Sequence, residues 1–318
     1  EEFEMASRRS EIRAERKALK EKEALQNASS GLKHKFTVVD ALMYAFIAIL
    51  SLICLYPFVN VIAYSLSGAD AVLANDVTFY PKDFTLAAYK NIAARPTIWI
   101  SLRVTIIITI AGTALGLVLT TAAAYALSRP NLPGRKVLSG LILFTMYFSG
   151  GIIPTFLVVK SLGMYDTLTA LVIPNAMNVF NFVIMRTFFR QLPRELDEAA
   201  QIDGATEMQV LFRIVLPLSV PILATIGLFY AVQYWNDYFQ SLLYIIDPNK
   251  FTLQLRLRSL LQTELNTDVS NPEGIGNQVM TQSLKMASVA IATIPIIIVY
   301  PWLQKYFVKG MMLGSVKG

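Results

Sequence analysis

The sequence predicts an all-α membrane protein with six transmembrane helices, and three observations carry that reading. Hydrophobic residues fill 54% of the 318 positions and charged residues only 16%, whereas a soluble globular chain carries roughly 25% charged residues. The apolar residues gather into blocks of about 20, enough to cross ~30 Å of hydrocarbon at a helical rise of about 1.5 Å per residue. The basic residues lie between those blocks and are alternately dense and sparse.

The elements follow in order. Residues 1–38 form a basic arm with nine Lys or Arg from Arg8 to Lys35. Its Glu and Lys neighbours at helical spacing, from Arg8 to Gln26, read as a solvated helix lying on the membrane or on a partner. The arm is long, highly charged and without a small-residue cleavage site, so no cleavable signal peptide is expected. The transmembrane domain covers residues 39–302, with spans at Val39–Leu66, Ile98–Leu127, Val137–Val159, Leu168–Phe188, Leu216–Ile246 and Leu284–Trp302. Gly112 and Gly116 in the second span form a small-x-x-x-small pattern, which suits close helix packing. Long connections follow the first and fifth spans (Ser67–Thr97 and an outer loop at 247–283). A tail, 303–318, ends the chain.

Orientation follows from charge. Nineteen basic residues lie in the arm, the second and fourth connections and the tail, against seven in the longer loops between them. The positive-inside rule therefore places both termini and the fourth connection in the cytoplasm. The net charge of +6 is explained by this topology and by contact with anionic lipid, and nucleic acid is not an expected partner.

Several chemistries are excluded by supply. One Cys, Cys54 inside an apolar block, and one His, His34 in the arm, leave no intrachain disulfide, thiolate metal cluster or His-based catalysis. No catalytic residue and no metal site is expected. No G-x-x-x-x-G-K-[ST] loop occurs, so this chain has no nest of backbone N–H groups for a nucleotide phosphate.

The fourth connection, 189–215, is the informative one. Pro193 suits a first helical turn, and Glu195, Asp197 and Glu198 place acid where a helix N-terminus favours it. Ala199, Ala200 and Ile202 offer a shallow apolar surface, Gly204 ends the helix, and Thr206 with Gln209 makes a capping box. Pro217 and Pro221 open the fifth span.

Here the chain resembles the membrane subunits of ATP-binding-cassette importers that work with a solute-binding protein. Their signature is an EAA triplet, a Gly four residues after its second Ala, and I-x-L-P ten residues further on. Glu198, Ala199, Ala200, Gly204, Ile214, Leu216 and Pro217 match it position by position, with Asp203 inside it. The resemblance implies the type I importer permease fold, with this loop as a cytoplasmic coupling helix docked on an ATPase. It also implies the partners: a second homologous permease, a dimer of ABC ATPases carrying ATP and Mg, an extracytoplasmic solute-binding protein and membrane lipid. The implied setting is the bacterial cytoplasmic membrane, multi-pass, N-in and C-in.

Further stretches are similar to the carbohydrate subgroup. They are Tyr80-Pro81-Lys82 and Ala88-Tyr89, Tyr234-Trp235-Asn236-Asp237, and the tail ending in Gly314, Lys317 and Gly318. That tail looks like the one by which the second permease of the maltose transporter reaches into its ATPase dimer. Within the subgroup the chain resembles the LplC/YtcP-type permeases, which include importers of alginate oligosaccharides. A permease for a non-sugar solute is the alternative; a secondary transporter would not need this loop.

Polar residues within spans are costly and face a bundle interior or a wet cavity. Tyr230, Gln233, Tyr234, Asp237 and Ser241 fall on one helical face of the fifth span, and Asn175, Asn178 and Asn181 recur every third residue of the fourth. These stripes suit a sugar pathway and equally suit hydrogen bonds between helices; Asp237 suits a ligand or an ion pair. Arg103 and Lys285 lie near span edges, where snorkelling to headgroups is expected. In the outer loop, Leu253–Leu261 is expected as a short helix on the membrane surface. The tip at Thr267–Gly276 is expected either to touch the binding protein or to act as a tether.

Overall fold

The structure is a computed structural model and describes residues 38–265, 282–298 and 301. The basic arm, the tail with Gly314, Lys317 and Gly318, and the outer-loop tip lie outside the described residues. Among the described residues every regular element is helical and none is a strand. The chain forms two compact units, Glu1–Pro57 and Phe58–Gly318. The first holds the start of α1 (Val38–Ser65), whose apolar side chains are exposed there; all later elements belong to the second.

The second unit is organised around α2 (Pro96–Ser128). Pro96 stands at its first position, where the missing N–H costs no hydrogen bond. With 33 residues the helix is about 50 Å long. Its buried residues Ser101, Thr105, Ile108, Gly112, Gly116, Thr120, Ala124 and Leu127 run down one face at steps of three and four. Most of them are small, so neighbouring helices approach closely.

Three of the expected spans are broken. The third becomes α3 (Arg135–Tyr147) and α4 (Ile152–Ser161), bent by 117°. The break holds Gly150 and Gly151, and Gly151 adopts φ +87°, a conformation other residues rarely take. The fifth becomes α7 (Glu207–Leu218) and α8 (Val220–Trp235), bent by 82° at Ser219. Pro221, not Pro217, opens α8; Pro217 sits inside the end of α7, after a π-helical turn at Leu211–Val215. The fourth span is interrupted as well: a short turn, Thr169–Val172, stops before Pro174, and helix resumes as α5 (Val179–Gln191). Between α5 and α7 lies α6 (Arg194–Ile202).

Two helices of the described residues are long and apolar enough to cross a membrane, or four if each bent pair is one span. A shorter apolar helix, α11 (Gln282–Ile298), covers most of the sixth expected span. Past α8 come α9 (Phe239–Tyr244) and α10 (Leu253–Leu265). The expected helix after Leu253 is therefore present, but it does not lie bare on a membrane surface. Leu253 and Leu257 are buried with Ile92, Ile98, Leu284 and Ala287. The Leu253 N–H donates to Thr105 Oγ1 of α2 at 2.8 Å.

Candidate functional site

The segment from α6 to α7 is built by local rules. Glu195 and Asp197 occupy the first turn of α6, facing the positive end of its dipole. Pro193 precedes the helix instead of standing in its first turn. At the far end Gly204 adopts φ +79°. Its N–H donates to the Gln201 carbonyl at 3.0 Å, and the Ala205 N–H donates to the Ala200 carbonyl at 2.9 Å. This pair of bonds is the Schellman arrangement, which satisfies carbonyls that a helix end leaves open. A Cβ on Gly204 would meet nothing within 4 Å, so the backbone alone demands glycine. The expected capping box is present: the Gln209 N–H donates to Thr206 Oγ1, and the Thr206 N–H donates to Gln209 Oε1 at 2.8 Å.

The apolar face of α6 divides differently from expectation. Ala200 turns inward and joins a core with Val210, Leu211 and Val215, packed by half-buried Ile214 and Leu216. Ala199 and Ile202, three residues apart and so on a common side, are exposed, Ile202 at 86%. Glu198, Asp203, Gly204 and Pro217 are exposed too, as are Met208 and Phe212 on α7. Large apolar side chains thus stand exposed beside acidic ones on this segment.

Arg129, just past the end of α2, holds this surface in place. Its guanidinium makes a two-pronged contact with the Asp197 carboxylate of α6 through Nη1 and Nη2. Nη2 also donates to the Tyr125 hydroxyl at 2.5 Å, and the guanidinium lies 4.4 Å from the centre of the Tyr125 ring. The Tyr125 hydroxyl in turn donates to Glu207 of α7, 2.9 Å from Oε2. Burial works against the charge on Arg129, but the Asp197 carboxylate and Tyr125 hydroxyl outweigh it and hold the group protonated. One side chain at the end of the central helix thus grips both helices of the loop. Arg186 adds to this end by donating to the Leu127 carbonyl at 3.1 Å. A cleft of about 390 Å³ opens here, with Arg129, Arg190, Glu198 and Gln201 in its walls.

The polar stripes fall into two groups. Tyr230 is fully buried, and its hydroxyl accepts the Asn178 N–H at 2.9 Å and shares a 2.6 Å hydrogen bond with Thr120. The Tyr234 hydroxyl donates to the Val172 carbonyl at 3.1 Å. Both tyrosines therefore serve backbone groups freed by the break at 173–178, which a membrane interior would otherwise leave unsatisfied. Asn178 caps α5 by accepting the Phe180 and Asn181 N–H groups, and Asn181 is buried. The fifth-span stripe is not one continuous helical face, because α8 ends at Trp235. Past that end, Asp237 accepts the Gln240 and Ser241 N–H groups at the start of α9. Asn175, Gln233, Tyr234 and Asp237 line a cleft of about 420 Å³.

Arg129, Tyr125 and Glu207 escaped the sequence reading, in which Arg129 counted only toward topology. The signal was present in the i, i+4 spacing of Tyr125 and Arg129, but their carboxylate partners lie 68 and 82 residues away. Lys285 lines a cavity with Arg258.

Comparison with known proteins agrees with this architecture. The chain is 45% identical over 286 residues to the polygalacturonan/rhamnogalacturonan transport system permease protein YtcP of Bacillus subtilis (strain 168), covering 89% of this chain and 100% of that one. It is 47% identical over 284 residues to protein LplC of the same organism, covering 88% and 95%. A solved structure of a bacterial ABC transporter involved in the import of the acidic polysaccharide alginate contains a chain with TM-score 0.78 and 33% identity, covering 86% of this chain and 98% of that one. Residues 112–313 match the family described as "Binding-protein-dependent transport system inner membrane component". The chain belongs to that family: it is a membrane permease subunit of an ABC transporter and not a catalytic enzyme.

Proposed function

We propose that this chain forms half of a translocation pathway for an oligosaccharide, paired with a second homologous permease and driven by a dimer of ABC ATPases. The observation that carries the reading is the grip of Arg129 on α6 and α7. A loop that only linked two spans would not need its helices fastened to the central helix while Ile202, Met208 and Phe212 stay exposed. A docked ATPase would cover those side chains, and its closure would move α2 and α8 through the same contacts. ATP and Mg would be bound by that partner. The carbohydrate assignment rests on relatives whose names specify polygalacturonan and alginate import. Asn175, Gln233 and Asp237 would face the pathway from their cleft, whereas Tyr230 and Asn181 maintain the bundle. Gly314, Lys317 and Gly318 would reach the ATPase.

The test is assembly and turnover. Co-expression with a neighbouring permease and ATPase should yield a complex whose ATP hydrolysis rises when liganded binding protein is added. A chain that neither copurifies with an ATPase nor supports uptake would refute the reading. Topology is checked in the same membranes, with Cys54, the single cysteine, replaced first. An impermeant thiol reagent should label a cysteine at Ser270 and spare one at Ser315.

A further inference from the structure

One cavity lies away from the coupling loop. Val220 begins α8 beside that loop, and Trp235 ends it 16 residues later; Asn236 and Tyr238, just past that end, border a cavity of about 770 Å³. α10 and α11 supply the remaining walls. This volume falls within the ~300–1,000 Å³ of small-molecule sites. Among its described lining residues two side chains are cations, Arg258 of α10 and Lys285 of α11, and none is a carboxylate. The Arg258 guanidinium lies 4.6 Å from the centre of the Tyr238 ring. Neither cation has a carboxylate partner among the described residues. Arg256, two positions away, is by contrast engaged with Ser101 and the Pro248 carbonyl. Primary amides, Asn236, Gln254 and Gln282 among them, surround the cations.

This pairing has a chemical meaning. Two like charges facing one cavity, with no acid between them among the described residues, create a positive potential that draws in anions. A planar guanidinium binds carboxylate through two parallel bonds, and an ammonium adds a point charge. The amides can donate and accept at once, which matches vicinal hydroxyls, whereas phosphate oxygens would use only their N–H donors. Lys285, near the edge of its span, borders the cavity.

We propose that this cavity is a binding subsite for the carboxylate of an acidic sugar, with Arg258 and Lys285 holding the carboxylate and the amides holding ring hydroxyls. The inference rests on the oligosaccharide-permease reading and names the class of sugar.

The test uses the complete importer in proteoliposomes, with an oligouronate as substrate. Arg258→Gln combined with Lys285→Gln should lower uptake at subsaturating substrate roughly tenfold or more, as expected for losing charge-assisted contacts. The Gln pair should still copurify with the second permease and the ATPase, and Arg258→Lys with Lys285→Arg should restore most uptake. Unchanged uptake by the Gln pair overturns the proposal. So does a defect confined to vesicles containing phosphatidylglycerol, which would make the cations a lipid site. If the wild type imports a neutral oligosaccharide but no oligouronate, the subsite is refuted while the permease reading stands. If it imports no oligosaccharide, the permease reading has failed first.

Discussion

The ring of Tyr234 lies so close over Gly112 that a Cβ there would come within 2.4 Å of its Cε2. One turn on, Tyr230 faces Gly116 in the same way, at 3.0 Å. The two glycines of α2 are thus the notch into which α8 sets its tyrosines, and the notch lets their hydroxyls reach the broken fourth span. Gly112→Ala should destabilise the purified permease by about 1–3 kcal/mol, the usual range for overpacking. Gly116→Ala should cost less. Combining Gly112→Ala with Tyr234→Ala should cost less than the sum of the two changes, since one collision underlies both. Thermal unfolding of the four variants measures this, and strict additivity would show that the contact does not govern packing.

Coupling should depend on Arg129 more than on any single exposed residue of α6. Asp197→Asn keeps the shape of the side chain but removes the charge that both guanidinium nitrogens address. Hydrogen bonds to charged groups contribute about 1.5–3 kcal/mol, so α6 should be held roughly tenfold or more less firmly. The expected outcome is an assembled importer that hydrolyses ATP with weakened uptake. Arg129→Lys should not rescue, because an ammonium lacks the paired donors. Uptake per ATP hydrolysed is the quantity to follow, and a wild-type ratio in Asp197→Asn would exclude the grip as a coupling element.

Gly204 tests the loop from the other side. With open space around the Cβ position, Gly204→Ala meets only the left-handed backbone penalty, about 1–2 kcal/mol. Gly204→Val adds β-branching and should do worse. Insertion should survive in both, while copurification of the ATPase falls in the order Gly, Ala, Val. Equal recovery of ATPase with all three would show that the turn can form without glycine.

How far the sequence revealed this molecule depends on the range of the interaction. The helix end at Gly204 and the Thr206–Gln209 box are set by residues within four or five positions, and both were legible. Gly112 and Gly116 announced close packing, although not the tyrosines that fill the notch. The breaks in the third, fourth and fifth spans do not show in hydropathy because it averages over a window, and Gly151, Pro174 or Ser219 barely changes that average. Apolar character persists across a break whose backbone groups are satisfied by Tyr230 and Tyr234 from another helix. Arg129 was missed for the same reason: a net of contacts spanning 68 and 82 residues leaves no periodic trace.

The last prediction concerns acid. Asp166 sits at φ 57°, a left-handed conformation that Asp tolerates better than most residues, in the turn after α4. Its carboxylate accepts the Ile246 and Asp247 N–H groups, each at 3.0 Å, and Lys250 Nζ donates to it at 3.2 Å and to the Asp166 carbonyl at 2.7 Å. These bonds fasten the turn to the segment following α9. The two N–H donors, with help from Lys250, hold the carboxyl below its ordinary value of 3.8. A carboxyl lowered on folding stabilises the fold at all pH above its unfolded value. That contribution is lost as pH falls through the lower folded value, so the fastening should be insensitive to pH near neutrality and weaken only below about 3.8. Asp166→Asn keeps one acceptor and tolerates the left-handed turn, so it should lower thermal stability less than Asp166→Ala at neutral pH. Its difference from wild type should then shrink in acid, where the wild-type carboxyl is itself neutral. Thermal unfolding of the three proteins across that range decides the point, and a wild-type–Asn gap that stayed constant into acid would show that the charge on Asp166 contributes nothing.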